Sequence, residues 1–284
     1  LSPERASVST DSAVCGGQYA CLILADGSAV NLDEEIADGN ETLAGGNVTV
    51  DGSEISLAAG KASDSEQINT LVIPRGGEYC LRLADGTRVW LNARTTLKFP
   101  TAFCHAERRV ELTGEAYFEV AKDVAHPFIV ATGRGDVRVY GTEFNVRAYA
   151  GEADASTTLV QGSVGVLVDG KTYMLTPGEQ AVVSAGNVTV REVNVDEYCA
   201  WHLARLVFEN RPLEDILHNV SDWYDVDFVY ADPSLRKLHF TGNLRRYDSF
   251  EKILDYIRKT TDVRFETDGK TVMVSRGSET EGNQ

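Results

Sequence analysis

The chain has 284 residues, 43% of them hydrophobic and 25% charged, and a formal net charge of −16. That balance is ordinary for a folded globular protein, and the length suits two domains. The acidic surplus argues against nucleic acid as a partner, which calls for clustered Lys and Arg, and no apolar run approaches the roughly 20 residues that cross a bilayer.

Residues 1–17 are polar and read as a flexible lead-in segment. From Gln18 to Val195 the texture is β throughout. Cys21–Asp33 reads as strand, Asp26-Gly27 turn and strand, because Asp-Gly between alternating apolar residues is a strong hairpin signal. Val48–Leu57 gives a second such unit about Asp51-Gly52, and a polar connection runs from Gly60 to Gln67. The first hairpin then returns. Cys21–Asp33 aligns without gaps to Cys80–Asn92, with eight of thirteen positions identical, both turn residues included. One unit used twice points to stacked β-units sharing a core.

The stretch Arg109–Ala121 alternates apolar and charged residues, and Thr113-Gly114-Glu115 is expected to turn the chain there. Further short runs follow at even spacing: Thr95–Phe99, Phe128–Val130, Val137–Tyr140, Gly141–Tyr149, Thr157–Val168, Tyr173–Leu175, Gln180–Val183 and Val188–Val193. Such spacing predicts an all-β domain, solenoid-like or sandwich-like and not a closed barrel.

Near Val195 the pattern changes to strand–helix–strand, twice. Leu206–Glu209 reads as a strand, and Pro212 suits a first helical turn. Leu213, Ile216, Leu217, Val220 and Tyr224 recur at helical spacing, as do Phe250, Ile253, Leu254 and Ile257 behind a capping-box pattern at Asp248–Glu251. Asp227–Tyr230, Leu238–Thr241, Val263–Phe265 and Val272–Val274 complete a small α+β domain over residues 196–276, with two helices on one face of one sheet. Residues 277–284 read as a solvated tail.

No catalytic constellation emerges. His105, His126, His202, His218 and His239 show no ligand spacing, so no metal, cofactor or enzymatic activity is expected. Cys15, Cys21, Cys80, Cys104 and Cys199 are odd in number and form no CxxC pair. They read as free, mostly buried thiols and not as a disulfide framework. Gly133-Arg-Gly-Asp136 joins strand to strand and reads as a turn. Glu115 and Glu119 share one strand face at about 13 Å, too far apart for a glycosidase pair, and read as a solvated face.

Taken together, several motifs resemble the extracytoplasmic part of a FecR-like anti-sigma factor of the Bacteroidetes type. They are Ile73–Tyr79, Leu83–Ala93, Leu112–Val120, Pro127-Phe128, Gly141–Val146, Leu159–Val164 and Pro177–Gln180. The C-terminal part, through Phe208–Leu213, Trp223-Tyr224 and Phe240–Gly242, resembles the secretin/TonB short N-terminal fold. One local departure is Arg94, where the family pattern suggests serine. The resemblance implies a periplasmic region anchored in the inner membrane by an upstream helix, with a sigma factor held by a cytoplasmic segment. It also implies, as partner, the N-terminal signalling domain of a TonB-dependent (SusC-like) transporter. Strand addition is the expected mode, with Val207, Phe208 and Glu209, or Val272, Met273 and Val274, as the edge residues. The alternative is a periplasmic carbohydrate-binding module, whose aromatic platform would draw on Trp90, Trp201 and Trp223.

Overall fold

The computed structural model describes residues 20–32, 41–43, 48–51, 54–57, 67–245 and 249–277. The lead-in segment, the tail, the Gly52 turn, nearly all of the polar connection and Asp248 lie outside them. The chain divides into two compact units between Leu203 and Ala204, beyond the change of texture at Val195.

Among the described residues the first unit has eighteen strands: β1 (Cys21–Ile23), β2 (Ala29–Asn31), β3 (Glu41–Leu43), β4 (Val48–Asp51), β5 (Glu54–Leu57), β6 (Ile68–Ile73), β7 (Tyr79–Arg82), β8 (Arg88–Leu91) and β9 (Thr95–Pro100), then β10 (Arg108–Glu119), β11 (Phe128–Thr132), β12 (Gly135–Val139), β13 (Glu143–Ala148), β14 (Asp154–Gln161), β15 (Val164–Val168), β16 (Lys171–Leu175), β17 (Glu179–Ser184) and β18 (Asn187–Glu192). One sheet runs β2-β1-β6-β9-β10-β11-β12-β15-β16. The other runs β3-β4-β5-β7-β8-β10-β13-β14-β17-β18. Successive hairpins alternate between the sheets: β11–β12 in the first, β13–β14 in the second, β15–β16 in the first, β17–β18 in the second. This is a coil flattened into two layers and not a closed barrel. Inward residues of both sheets, among them Leu22, Leu81, Leu97, Phe118, Phe128 and Phe144, form one apolar core.

Strand β10 belongs to both sheets, and here the expectation of a turn fails. Residues 111–113 pair with β9 and residues 114–119 with β8 and β13, without interruption. Thr113-Gly114-Glu115 is where one strand passes from layer to layer. Gly114 has φ +120, and a Cβ there would lie 2.4 Å from Thr95 Oγ1, so the crossing needs both glycine's backbone freedom and its missing side chain.

The repeated hairpins share one backbone but not one sheet. Gly27 and Gly86 both have φ +86. Asp26 accepts from Ser28 N–H at 2.8 Å as Asp85 accepts from Thr87 N–H at 3.0 Å. The first hairpin, β1–β2, lies in one layer and the second, β7–β8, in the other. The unit is therefore reused across the core and not stacked on itself.

The second unit comprises β19 (Arg205–Pro212), α2 (Leu213–Tyr224), β20 (Asp227–Tyr230), a 3-10 turn at Pro233–Lys237, β21 (His239–Arg245), α3 (Phe250–Thr260), β22 (Val263–Asp268) and β23 (Thr271–Arg276). A short α1 (Asp196–Cys199) precedes it, within the first unit. The helical stripes read from the sequence are the buried ones. Each buried Leu, Ile or Phe removes enough apolar surface to contribute about 1.5–3 kcal/mol, and ring contacts such as Tyr224–Phe250 at 5.2 Å join the helices. Two details differ. The strands form two sheets, β19–β21 and β20-β23-β22, and not one. Pro212 ends β19 and stands just before α2. The residue that caps α3 is Ser249, without a side-chain cap bond, whereas Asp248, which opens the capping box read from the sequence, lies outside the described residues.

Candidate functional site

Alternation along β10 puts Ala116 and Phe118 in the core and Glu115, Tyr117 and Glu119 on the outer face of the second sheet. An outer face should be wet, yet Glu115 is only 6% and Tyr117 3% exposed. The cover is the segment 196–203, made of α1 and a 3-10 turn at Ala200–Leu203. Its apolar run Tyr198–Trp201 was the available sequence signal, and it was missed.

Beneath this strap, the motif residues converge on one carboxylate. Glu115 accepts from Asn145 Nδ2 at 2.9 Å and Asn92 Nδ2 at 3.0 Å, and pairs with Arg147 Nη1 at 3.3 Å. Asn145 Oδ1 in turn accepts from the Trp201 indole N–H at 3.0 Å. Burial opposes charge on Arg147, but Glu115 foremost, then Tyr149 and Glu152, hold its pKa above the usual range. A carboxylate this buried is tolerated because both of its oxygens are met by amide donors and a guanidinium. Glu119 has a separate fate at the surface, 3.5 Å from Arg88, which also pairs with Glu54 at 3.2 Å. The expectation that both glutamates face solvent is corrected for Glu115.

Next to this knot, the His202 ring stacks on Tyr117, centroids 3.7 Å apart and 7° from parallel, with Trp90 edge-on at 5.5 Å. His202 Nδ1 lies against the Cys199 carbonyl, which can only accept, so that nitrogen carries the proton. Burial lowers the His202 pKa. Burial, then Glu143 beside it, raises the Tyr117 phenol.

A second anchor holds the Asp85-Gly86 turn. Buried Arg108 pairs with Asp85 at 2.6 Å and donates to the carbonyls of Ala121 and His126 at 2.9 Å each. Arg94, the departure from the family pattern, occupies the left-handed region at φ +58 with its guanidinium 5.3 Å from the Tyr149 ring.

The predicted partner residues separate. Among the described residues β19 pairs with β21 alone, so one side of its backbone carries no ladder from any described strand of this unit. On it Val207 is half-buried and Glu209 exposed, but Phe208 is core: its ring covers Gly242, where a Cβ would meet Phe208 Cζ at 2.7 Å. β23 is the central strand of its sheet, between β20 and β22. Val272 and Val274 are buried and only Met273 reaches the surface. The reading of Val272–Val274 as an edge is therefore corrected.

Trp201 and Trp223 are buried, and half-buried Trp90 lies under the Arg88 guanidinium at 4.4 Å, so the three tryptophans form no open platform. Among the described cysteines, Cys80 and Cys199 are buried and Cys104 is exposed. Burial, foremost, pushes the Cys80 thiol up to about 12 and raises Cys199 as well. The Gly133–Asp136 segment is a hairpin turn whose Asp136 pairs with Arg109 at 3.0 Å. Among the described residues, no group of three or more His, Cys, Asp or Glu is placed to hold a metal ion, and no helix is long and apolar enough to cross a membrane.

A two-layer β-coil followed by a small α+β unit defines the class. Residues 69–165 match the FecR protein family model and residues 205–274 the FecR C-terminal model. The crystal structure of a candidate anti-sigma factor from Parabacteroides distasonis ATCC 8503 at 1.65 Å resolution is similar, with TM-score 0.66 and 30% identity, over 74% of this chain and 99% of its own. A second crystal structure bearing the same description, at 2.50 Å, gives TM-score 0.66 and 29% identity over 74% and 100%. None of the curated proteins matches. The chain belongs to the FecR family.

Proposed function

We propose that this chain is the periplasmic, signal-receiving part of a transmembrane anti-sigma factor. It binds the N-terminal signalling domain of a TonB-dependent, SusC-like transporter and thereby controls release of an extracytoplasmic-function sigma factor. The sigma factor is held by a cytoplasmic segment, and an upstream helix anchors the whole in the inner membrane. Similarity to the Parabacteroides protein along nearly its whole length supports the anti-sigma role. The observation that carries the docking mode is β19, a strand of the FecR C-terminal segment with a ladder on one side only. Such an edge accepts a partner strand through main-chain bonds, and flanking side chains, here Val207 and Glu209, set the choice of partner.

The experiment is a calorimetric titration with the purified signalling domain of a transporter whose gene flanks this one, followed by amide exchange on the complex. Binding with new protection at residues 205–212 is the expected result. Absence of binding overturns the partner, and binding with protection elsewhere moves the site off β19.

A further inference from the structure

The strap at residues 196–203 is the last segment of the first unit before the chain enters the second, and it packs on the outer face of the first unit's second sheet. Its hold is polar and aromatic and includes the indole N–H bond to Asn145, the His202 ring stacked on Tyr117, the Tyr198 hydroxyl beside Arg191 and the buried side chains of Cys199, Ala200 and Trp201. Beyond it the chain leaves sharply. Leu203 is 61% exposed and Ala204 sits at φ +56, a conformation costing a non-glycine residue about 1–2 kcal/mol. Beneath it lie groups that water would solvate well: Glu115, Asn145, Thr158 and Gln180, all buried. Gln180 donates to Thr158 at 2.9 Å and accepts from Arg191, which also reaches Tyr198 of the strap.

Lifting the cover exposes the Trp201, Tyr117 and His202 rings but returns Glu115, Asn145 and Gln180 to water, which solvates them well. The β-ladder beneath it is complete, because β10 is paired on both sides by β8 and β13 with no help from the strap. Docked and undocked states therefore differ by the strap's own contacts and not by the ladder beneath it.

We infer that residues 196–203 are a latch, which opens as a local event while both sheets stay intact. Opening uncovers Tyr117, Trp90 and Asn145 and frees about 25 Å of chain at about 3.3 Å per residue. The inference does not depend on the identity of the partner.

Two buried thiols allow the test on the chain as it stands: Cys199 lies in the latch, and Cys80 in β7, between β5 and β8. Labelling with a water-soluble thiol reagent, mapped by peptide mass, reads both at once. Cys199 is expected to react faster than Cys80. Trp201→Phe keeps a ring but deletes the donor to Asn145, and should accelerate Cys199 about tenfold, the equivalent of one lost hydrogen bond of about 1.4 kcal/mol, and leave Cys80 unchanged. Should circular dichroism show that this variant does not fold, His202→Ala removes the stack without touching the Glu115 knot and is read in the same way. A single common rate for both thiols overturns the latch. So does equal acceleration of both, or a Cys199 rate that no folded variant changes.

Discussion

The two units bury polar groups in opposite measure. In the first, Asn69, Thr87, Asn92, Thr95, Arg108, Glu115, Thr142, Asn145, Thr157, Thr158 and Gln180 are all buried; in the second, Asp222 alone among the described residues is. Geometry explains the contrast. Short strands in a large two-layer sheet have many near-equivalent registers, and a slip of one residue turns every side chain to the other face. A slip along β10 would carry Glu115 away from Asn92, Asn145 and Arg147 and leave a charge buried without partners. The second unit needs no such device, because two helical stripes already fix how α2 and α3 lie on their strands.

The largest effect that would sharpen this contrast is Glu115→Ala. It should lower the unfolding free energy of the first unit by about 3–5 kcal/mol, the cost of breaking a buried pair, and leave the transition of the second unit in place. One merged transition that falls as a whole would break the comparison. Next comes Leu217→Ala, an apolar deletion in α2. It should cost about 2–5 kcal/mol, read as a fall in helical circular dichroism at lower denaturant while the β transition stays.

The twin hairpins offer a finer test within one unit. Asp85→Ala strips Arg108 of its carboxylate and should cost about 1.5–3 kcal/mol in a chemical melt. Asp26→Ala removes the same turn bond at an exposed site and should leave the midpoint unmoved. Equal effects would mean that the turn, and not the Arg108 anchor, provides the stabilisation.

The smallest effect is one of pH. Burial lowers the His202 pKa in the folded chain, so on acidification the unfolded chain takes up the proton first. That contribution to the first unit is complete above the ordinary value of 6.5 and is lost below it. In the second unit, Asp232 is held down at about 2 by its bonds to Ser234 and then by Arg276, so its contribution fades only below 3.8. A melt series from pH 7 to 5 should therefore move the first transition alone, and His202→Gln should flatten that response.

Much of the fold was legible because its signals are local. Alternating apolar residues gave the strands, Asp-Gly the hairpins, and 3.6-residue spacing both helices to within their buried residues. What escaped was non-local. Gly114 signals a turn in isolation, and only the presence of β9 on one side and β13 on the other makes it a crossing. Glu115 has the alternation of a wet face, and nothing in its neighbourhood announces that residues 196–203 return to cover it. Met273 lies in a strand as regular as β19. Whether a strand is central or at an edge is a property of its neighbours, so period-two alternation did not reveal it.

The crossing at Gly114 has a bearing on errors. In a sandwich of two separate sheets, each could settle into a wrong alignment without informing the other. Here the strand that sets the alignment of β9 also sets that of β8 and β13, so the two layers hold a single piece of positional information. A slip of β10 in one layer is a slip in the other as well, and it would carry Glu115 away from Asn92, Asn145 and Arg147. The crossing thus ties the register of each layer to that of the other.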